Sequence, residues 1–151
     1  MSSSRRRRIK NIEMILYEKA LCPYCRLLKD LVLRDVLSDR RIAEKIAFYE
    51  VDVSRPITHW NPNKFISEEG KIHVIDLSGK KAEVISGIDI RDYAHLLVST
   101  PILEVRLYVD DRVDKYIFLG FLGPTMKDFR QRVLMFKVNL MGLLRAFTRN
   151  L

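Results

Sequence analysis

Cys22 and Cys25 are the only thiols in this 151-residue chain, and two residues, Pro23 and Tyr24, separate them. A bridge between them would close almost no loop. The entropic benefit of a crosslink grows with loop length, so the pair is a poor staple and a better redox couple or metal half-site. Zinc takes four ligands, yet no second CxxC follows, and His59, His73 and His95 show no ligand spacing. No metal is therefore expected. The remaining alternative is a pair of small hydrophobes buried at a helix start, which needs no particular spacing.

The elements around the cysteines decide what the pair can do. Asn11 to Glu18, NIEMILYE, is β-prone and short enough for a buried strand. From Cys22 to about Leu37, apolar Leu27, Leu28, Leu31, Val32 and Val36 recur at helical spacing, and Pro23 suits a first helical turn. Ser38 to Lys45 continues that helix or starts a further turn, and Ile46 to Val53 reads as a second strand. Two strands joined through a helix must run parallel. Arg55 to Gly70, with two prolines, His59 and Trp60, reads as loop. Lys71 to Leu77 and Ala82 to Ser86 flank Ser78-Gly79-Lys80 as a hairpin. Asp89 caps an expected helix from Ile90 to Val98, which Thr100-Pro101 ends. Ile102 to Val109 and Arg112 to Phe121 form an expected antiparallel hairpin. Thr125 and Asp128 then open an amphipathic helix carrying Phe129, Val133, Phe136, Leu140, Leu143 and Phe147 on one face.

This order resembles the thioredoxin fold, and Cys22-Pro23-Tyr24-Cys25 is similar to the glutaredoxin form of its active site. The resemblance implies an α/β, thioredoxin-like fold with a mixed central sheet flanked by helices. It implies one domain over 11–151, with an insertion at about 55–87 as its main departure and a disordered basic arm at 1–10. It also implies a thiol-disulfide oxidoreductase acting in electron transport, with Cys22 as nucleophile and Cys25 as resolving thiol. Lys19 matches the lysine that many glutaredoxins place near the thiolate. Pro101 corresponds to the family's cis proline, and Thr100 before it would present backbone groups to a bound substrate. Tyr24 lies between the sulfurs on the expected substrate-facing side. The glycine pair that holds glutathione in that family has only a distorted echo in Gly120, Gly123 and Asp128. Protein disulfides are thus the expected substrates, with glutathione as a co-substrate option and no bound cofactor. A reductase or glutathione would return the electrons.

The residues give this reading a physical basis. The attacking species must be a thiolate, and a free thiol is mostly protonated at neutral pH. Cys22 at a helix start would meet unpaired amide N–H groups and the positive end of the helix dipole, and Lys19 would add a cation.

The formal net charge is +8, concentrated at the two ends. Arg5, Arg6, Arg7, Arg8 and Lys10 crowd one end, and Lys127, Arg130, Arg132, Lys137, Arg145 and Arg149 the other, while the middle is nearly neutral. An arm of this kind can attract phosphates, so a second reading is a thioredoxin-fold binding module whose basic termini hold nucleic acid or a protein partner. The final helix carries a second apolar stripe, Leu134, Val138 and Met141, expected to pack under the insertion, with another subunit or a membrane surface as the alternatives. No stretch has the roughly 18 uninterrupted apolar residues of a spanning helix. Glu13, Glu18 and Lys19 interrupt any signal-peptide core, which makes a cytoplasmic protein the expectation.

Overall fold

In the computed structural model, which describes residues 9–52, 72–77, 83–86, 101–109, 112–120 and 129–149, the chain is organised around its first strand. β1 (Ile9–Glu18) leads into a helical run made of α1 (Pro23–Leu28), a π-helical stretch Lys29–Leu33, and α2 (Arg34–Ser38). A single turn, α3 (Arg40–Ala43), precedes β2 (Ile46–Asp52). Then come β3 (Ile72–Asp76), β4 (Glu83–Ser86), β5 (Ile102–Val109), β6 (Arg112–Leu119) and the long α4 (Phe129–Thr148).

The six strands form one mixed sheet in the order β2-β1-β5-β6-β3-β4. β1 pairs in parallel with β2, Ile12 facing Ile46 and Glu18 facing Asp52, and antiparallel with β5, Tyr17 facing Ile102. The β5–β6 and β3–β4 pairs are antiparallel, and β3 runs parallel to β6. The expected α/β class and the thioredoxin-like order of elements are both present: strand, helix at the cysteines, parallel strand, antiparallel hairpin beside β1, final helix.

Side-chain alternation along the strands builds two cores. On one face Ile12, Met14 and Leu16 of β1 and Leu103, Val105 and Leu107 of β5 pack against Leu28, Val32 and Val36 of the helical run and Phe136, Leu140 and Leu144 of α4. On the other, Ile15, Tyr17, Ile102, Ile117, Leu119 and Val74 form a smaller cluster.

Three outcomes differ from the sequence reading. β1 starts at Ile9 rather than Asn11, because Ile9 is buried and pairs with Val109. The expected hairpin is present as β3–β4, and it is part of the main sheet, which it extends beyond β6, a pairing the sequence reading did not include. Leu134 and Val138, expected to be covered, are 60% and 59% exposed. They lie two residues either side of the buried Phe136, about 200° away around the helix, and so face outward. Met141 is the member of that stripe that reaches the core. The expected helix at 90–98, His59-Trp60 and Thr100 lie outside the described residues.

The second face also buries charge. Glu104 is fully buried and Lys115 nearly so; Tyr17 Oη donates to Glu104 Oε1 at 2.6 Å, Arg106 Nε donates to Oε2 at 3.0 Å, and Lys115 Nζ lies 4.0 Å from Oε2. Tyr108 Oη donates to Glu13 on the same face. Burial and the neighbouring Glu104 carboxylate push the Tyr17 hydroxyl well above its ordinary value, and burial with the Glu13 bond raises Tyr108. Burial disfavours the Arg106 charge, but Glu104 more than offsets it and holds the guanidinium protonated.

Tyr17→Phe would remove a donor from a buried carboxylate, so unfolding in urea at neutral pH should show a loss of about 1–3 kcal/mol. The sign of the alkaline effect follows from the proton count. An unfolded tyrosine ionises near pH 10.0, whereas folded Tyr17 keeps its proton. Its contribution is complete below that pH and falls as pH rises above it, since the folded state then binds more protons. Stability should therefore decline more steeply above about pH 10 in the wild type than in Tyr17→Phe.

Candidate active site

The cysteines sit where β1 ends and α1 begins. β1 leaves the sheet at Glu18, and the backbone turns at Leu21, whose φ of 60° is the left-handed region that a branched side chain rarely enters. Leu21 is fully exposed, so no packing holds it there. The turn places Cys22 at the N-cap of α1 in an extended conformation, with Pro23 in the first helical turn, where its missing N–H leaves no bond unmade.

Cys22 and Cys25 form a disulfide with Cα atoms 5.3 Å apart. The Cys25 backbone N–H donates to Cys22 Sγ at 3.1 Å, so the first sulfur occupies the position a serine or aspartate oxygen takes in an ordinary cap. The same N–H would support a thiolate on Cys22 once the bridge is reduced. Cys22 is half-buried, whereas Cys25, one turn into the helix, is only 2% exposed. The spacing thus produces two unlike sulfurs, one accessible and one covered.

A cavity of about 630 Å³ opens at the pair, lined by Lys19, Leu21, Cys22, Pro23 and Cys25 together with Glu18 and Lys29. Lys29 Nζ lies 3.1 Å from Glu18 Oε2 and 3.8 Å from Glu50 Oε2, which places a carboxylate and an ammonium together beside the disulfide. Sequence reasoning missed Glu18, Lys29 and the backbone at Leu21. Lys29, four residues after Cys25, was legible from helical spacing; its partner Glu18 was not, because strand and helix meet here only through the turn.

Among the residues expected at the site, Lys19, Cys22 and Cys25 come together. Tyr24 points outward, exposed, and does not line the cavity. Pro101 is buried directly before β5, whose first residue faces Tyr17, so it lies at the same end of the sheet as the cysteine loop but is not part of the cavity wall. Thr100, and with it the peptide bond to Pro101, lies outside the described residues. No group of three or more His, Cys, Asp or Glu side chains that could hold a metal ion occurs among the described residues, and no helix among them is long and apolar enough to cross a membrane.

The fold and the site together define a thioredoxin-like α/β domain with a CxxC disulfide at the start of its first helix. No family model matches the chain, and no curated protein matches it. Among solved structures it is similar to a thioredoxin-fold protein from Helicobacter pylori at 20% identity, over 92% of this chain and 83% of that one, with a TM-score of 0.35. The fold assignment rests on the chain's own strand order and register.

Two measurements check this geometry. In the reduced protein, mass-spectrometric mapping after brief alkylation should find Cys22 modified well before Cys25, because only the first sulfur is accessible; equal labelling would contradict the burial difference. Leu21→Asn should stabilise by about 1 kcal/mol in chemical denaturation, since asparagine tolerates the left-handed region and the exposed leucine gives up no contacts.

Proposed function

We propose that the protein is a thiol-disulfide oxidoreductase that reduces protein disulfides through Cys22 and Cys25. The observation that carries this reading is the pair itself: an accessible sulfur capping a helix, one turn from a buried sulfur, beside an open cavity. In the reduced protein the Cys22 thiolate attacks one sulfur of a substrate disulfide, the substrate S–S bond breaks, and the leaving sulfur departs as a thiolate that takes up a proton. Cys25, deprotonated, then attacks Cys22 Sγ, the mixed disulfide breaks, and the second substrate thiol is released. Two electrons have passed to the substrate, and the chain holds the Cys22–Cys25 disulfide. A dithiol reductase or glutathione must restore the dithiol, so a cytoplasmic setting, where thiols are kept reduced, suits this direction.

In this reading Lys19 supports the Cys22 thiolate by charge. Thr100 and Pro101 offer backbone to an extended substrate, and Tyr24 contacts it from the exposed side. Glutathione serves as electron donor more readily than as the group recognised, because the glycines that would hold its γ-glutamyl end are poorly matched. No bound cofactor is required.

Reduction of insulin is the direct test. The wild type should turn it over and Cys22→Ser should not, with a loss of at least about 100-fold if the nucleophile is absent. Cys25→Ser should accumulate a mixed disulfide with substrate that Cys22→Ser cannot form. Equal trapping by the two variants would overturn the division of labour. Faster turnover of a small glutathione mixed disulfide than of insulin would overturn the substrate class.

A further inference from the structure

At the other end of β1 the molecule carries a second cavity with a different chemistry. It is a cleft of about 870 Å³ between α3 and the C-terminal end of α4, lined by Arg40, Arg41, Lys45, Arg145 and Arg149 together with Asp39 and Glu44. Five cations face two carboxylates. One of these, Asp39, is already engaged: its Oδ1 accepts from the Arg41 backbone N–H at 3.0 Å as the cap of α3, and its Oδ2 lies 3.7 Å from Arg145. Lys45 Nζ donates to the Thr148 carbonyl at 3.1 Å, which ties the two walls together at the end of α4 and leaves two of its three protons for a ligand. Arg40, Arg41 and Arg149 are exposed and enter no ion pair among the described residues.

We propose that this cleft binds the phosphate backbone of nucleic acid without sequence preference. Four of its five cations are arginines, whose planar fork matches phosphate oxygens in pairs. The wall is concave and lined mainly by charged side chains, and its one large apolar side chain, Ile42, is buried, so none of the lining residues projects an apolar group that could insert into a lipid surface or anchor an apolar peptide side chain. The exposed apolar pair of α4, Leu134 and Val138, lies about 16 Å or more along the helix from Arg149. No exposed aromatic lines the cleft to stack on a base, which is why backbone rather than base recognition is assigned.

The topology gives the cleft a neighbour. Lys45 directly precedes Ile46, which faces Ile12, so the cleft lies at the end of the sheet where β1 begins. The basic run Arg5 to Arg8 joins the fold at that same end, next to Ile9. The Cys22 disulfide lies beyond the opposite end of β1, more than about 20 Å away by strand length. Binding and redox chemistry are therefore separable.

The test uses the full chain and a short fluorescein-labelled oligothymidylate read by anisotropy across about 0.05–0.2 M salt. The wild type should bind, with log Kd rising linearly in log salt. In Arg40→Gln/Arg41→Gln/Arg149→Gln the affinity should fall at least tenfold at the lower salt and the slope should shrink by about 2. Insulin reduction should be unchanged in that variant, while Cys22→Ser should bind the oligonucleotide as the wild type does. An arm variant, Arg5 to Arg8 all changed to Gln, provides the counter-test. If it abolishes binding while the triple variant binds normally, the phosphate contacts belong to the arm and the cleft assignment is overturned. No oligonucleotide binding by the wild type overturns it as well, as does a preference for polyglutamate or phosphatidylglycerol vesicles over the oligonucleotide.

Discussion

The pairing of β1 along both of its edges is the constraint on which the rest of the molecule depends. A strand hydrogen-bonded to β2 on one side and β5 on the other, and buried on both faces, cannot slip by one residue without turning Ile12, Met14 and Leu16 out of the larger core. That fixed register sets where β1 ends, and hence where the chain must turn at Leu21 and where Cys22 begins α1. It also fixes where β2 starts, which puts Lys45 and α3 beside the end of α4. The redox pair and the cationic cleft are two consequences of one rigid strand.

The parts nearest in sequence were the most legible. The apolar run of β1, the helical spacing after Cys22 and the alternation in Ile102 to Val109 are each local patterns, and each became the element it predicts. The parallel pairing of β3 with β6 was not readable, because nothing in Ile72 to Asp76 specifies a partner some forty residues later. The burial of the charges in β5 and β6 was unreadable for a related reason. Glu104, Arg106 and Lys115 alternate with apolar residues as a solvated face would, yet Glu104 and Lys115 are buried, the Glu104 carboxylate paired with Arg106 and Lys115 and bonded by the Tyr17 hydroxyl. Periodicity distinguishes the two faces of a strand; it does not say whether the polar face is wet. At the site, the cysteines were legible from spacing and Lys19 from the resemblance, whereas Glu18 and Lys29 meet only because the turn at Leu21 folds the helix back over the end of the strand.

The sheet's extension beyond β6 changes which strands are edges. Among the described strands, β2 and β4 are the outer ones, and both are blunted in the way edge strands usually are. β4 is four residues long with Glu83 exposed, and β2 presents Glu50 and Asp52 to solvent. β6, which would be an edge in the simpler four-strand arrangement, is covered by β3 and contributes Ile117, Phe118 and Leu119 to both cores. The extra hairpin thus enlarges the hydrophobic interior, and it does so without pairing with the strand that positions the cysteines.

Leu21 shows where local preference yields to function. A left-handed leucine with no packing contacts costs about 1–2 kcal/mol that neither the core nor the sheet recovers. What the conformation accomplishes is geometric: it reverses the chain within four residues of Glu18, so that Cys22 can cap α1 while Cys25 reaches the covered side. Without a left-handed residue at this position the turn would have to be longer, and a longer turn would let the helix start drift from the end of β1, separating the cysteines from the Glu18–Lys29 pair that lines their cavity. The left-handed turn is therefore what keeps an accessible sulfur, a buried sulfur and a charged pair within one small space, and its cost in a leucine is tolerable because β1, paired on both edges, does not move to relieve it.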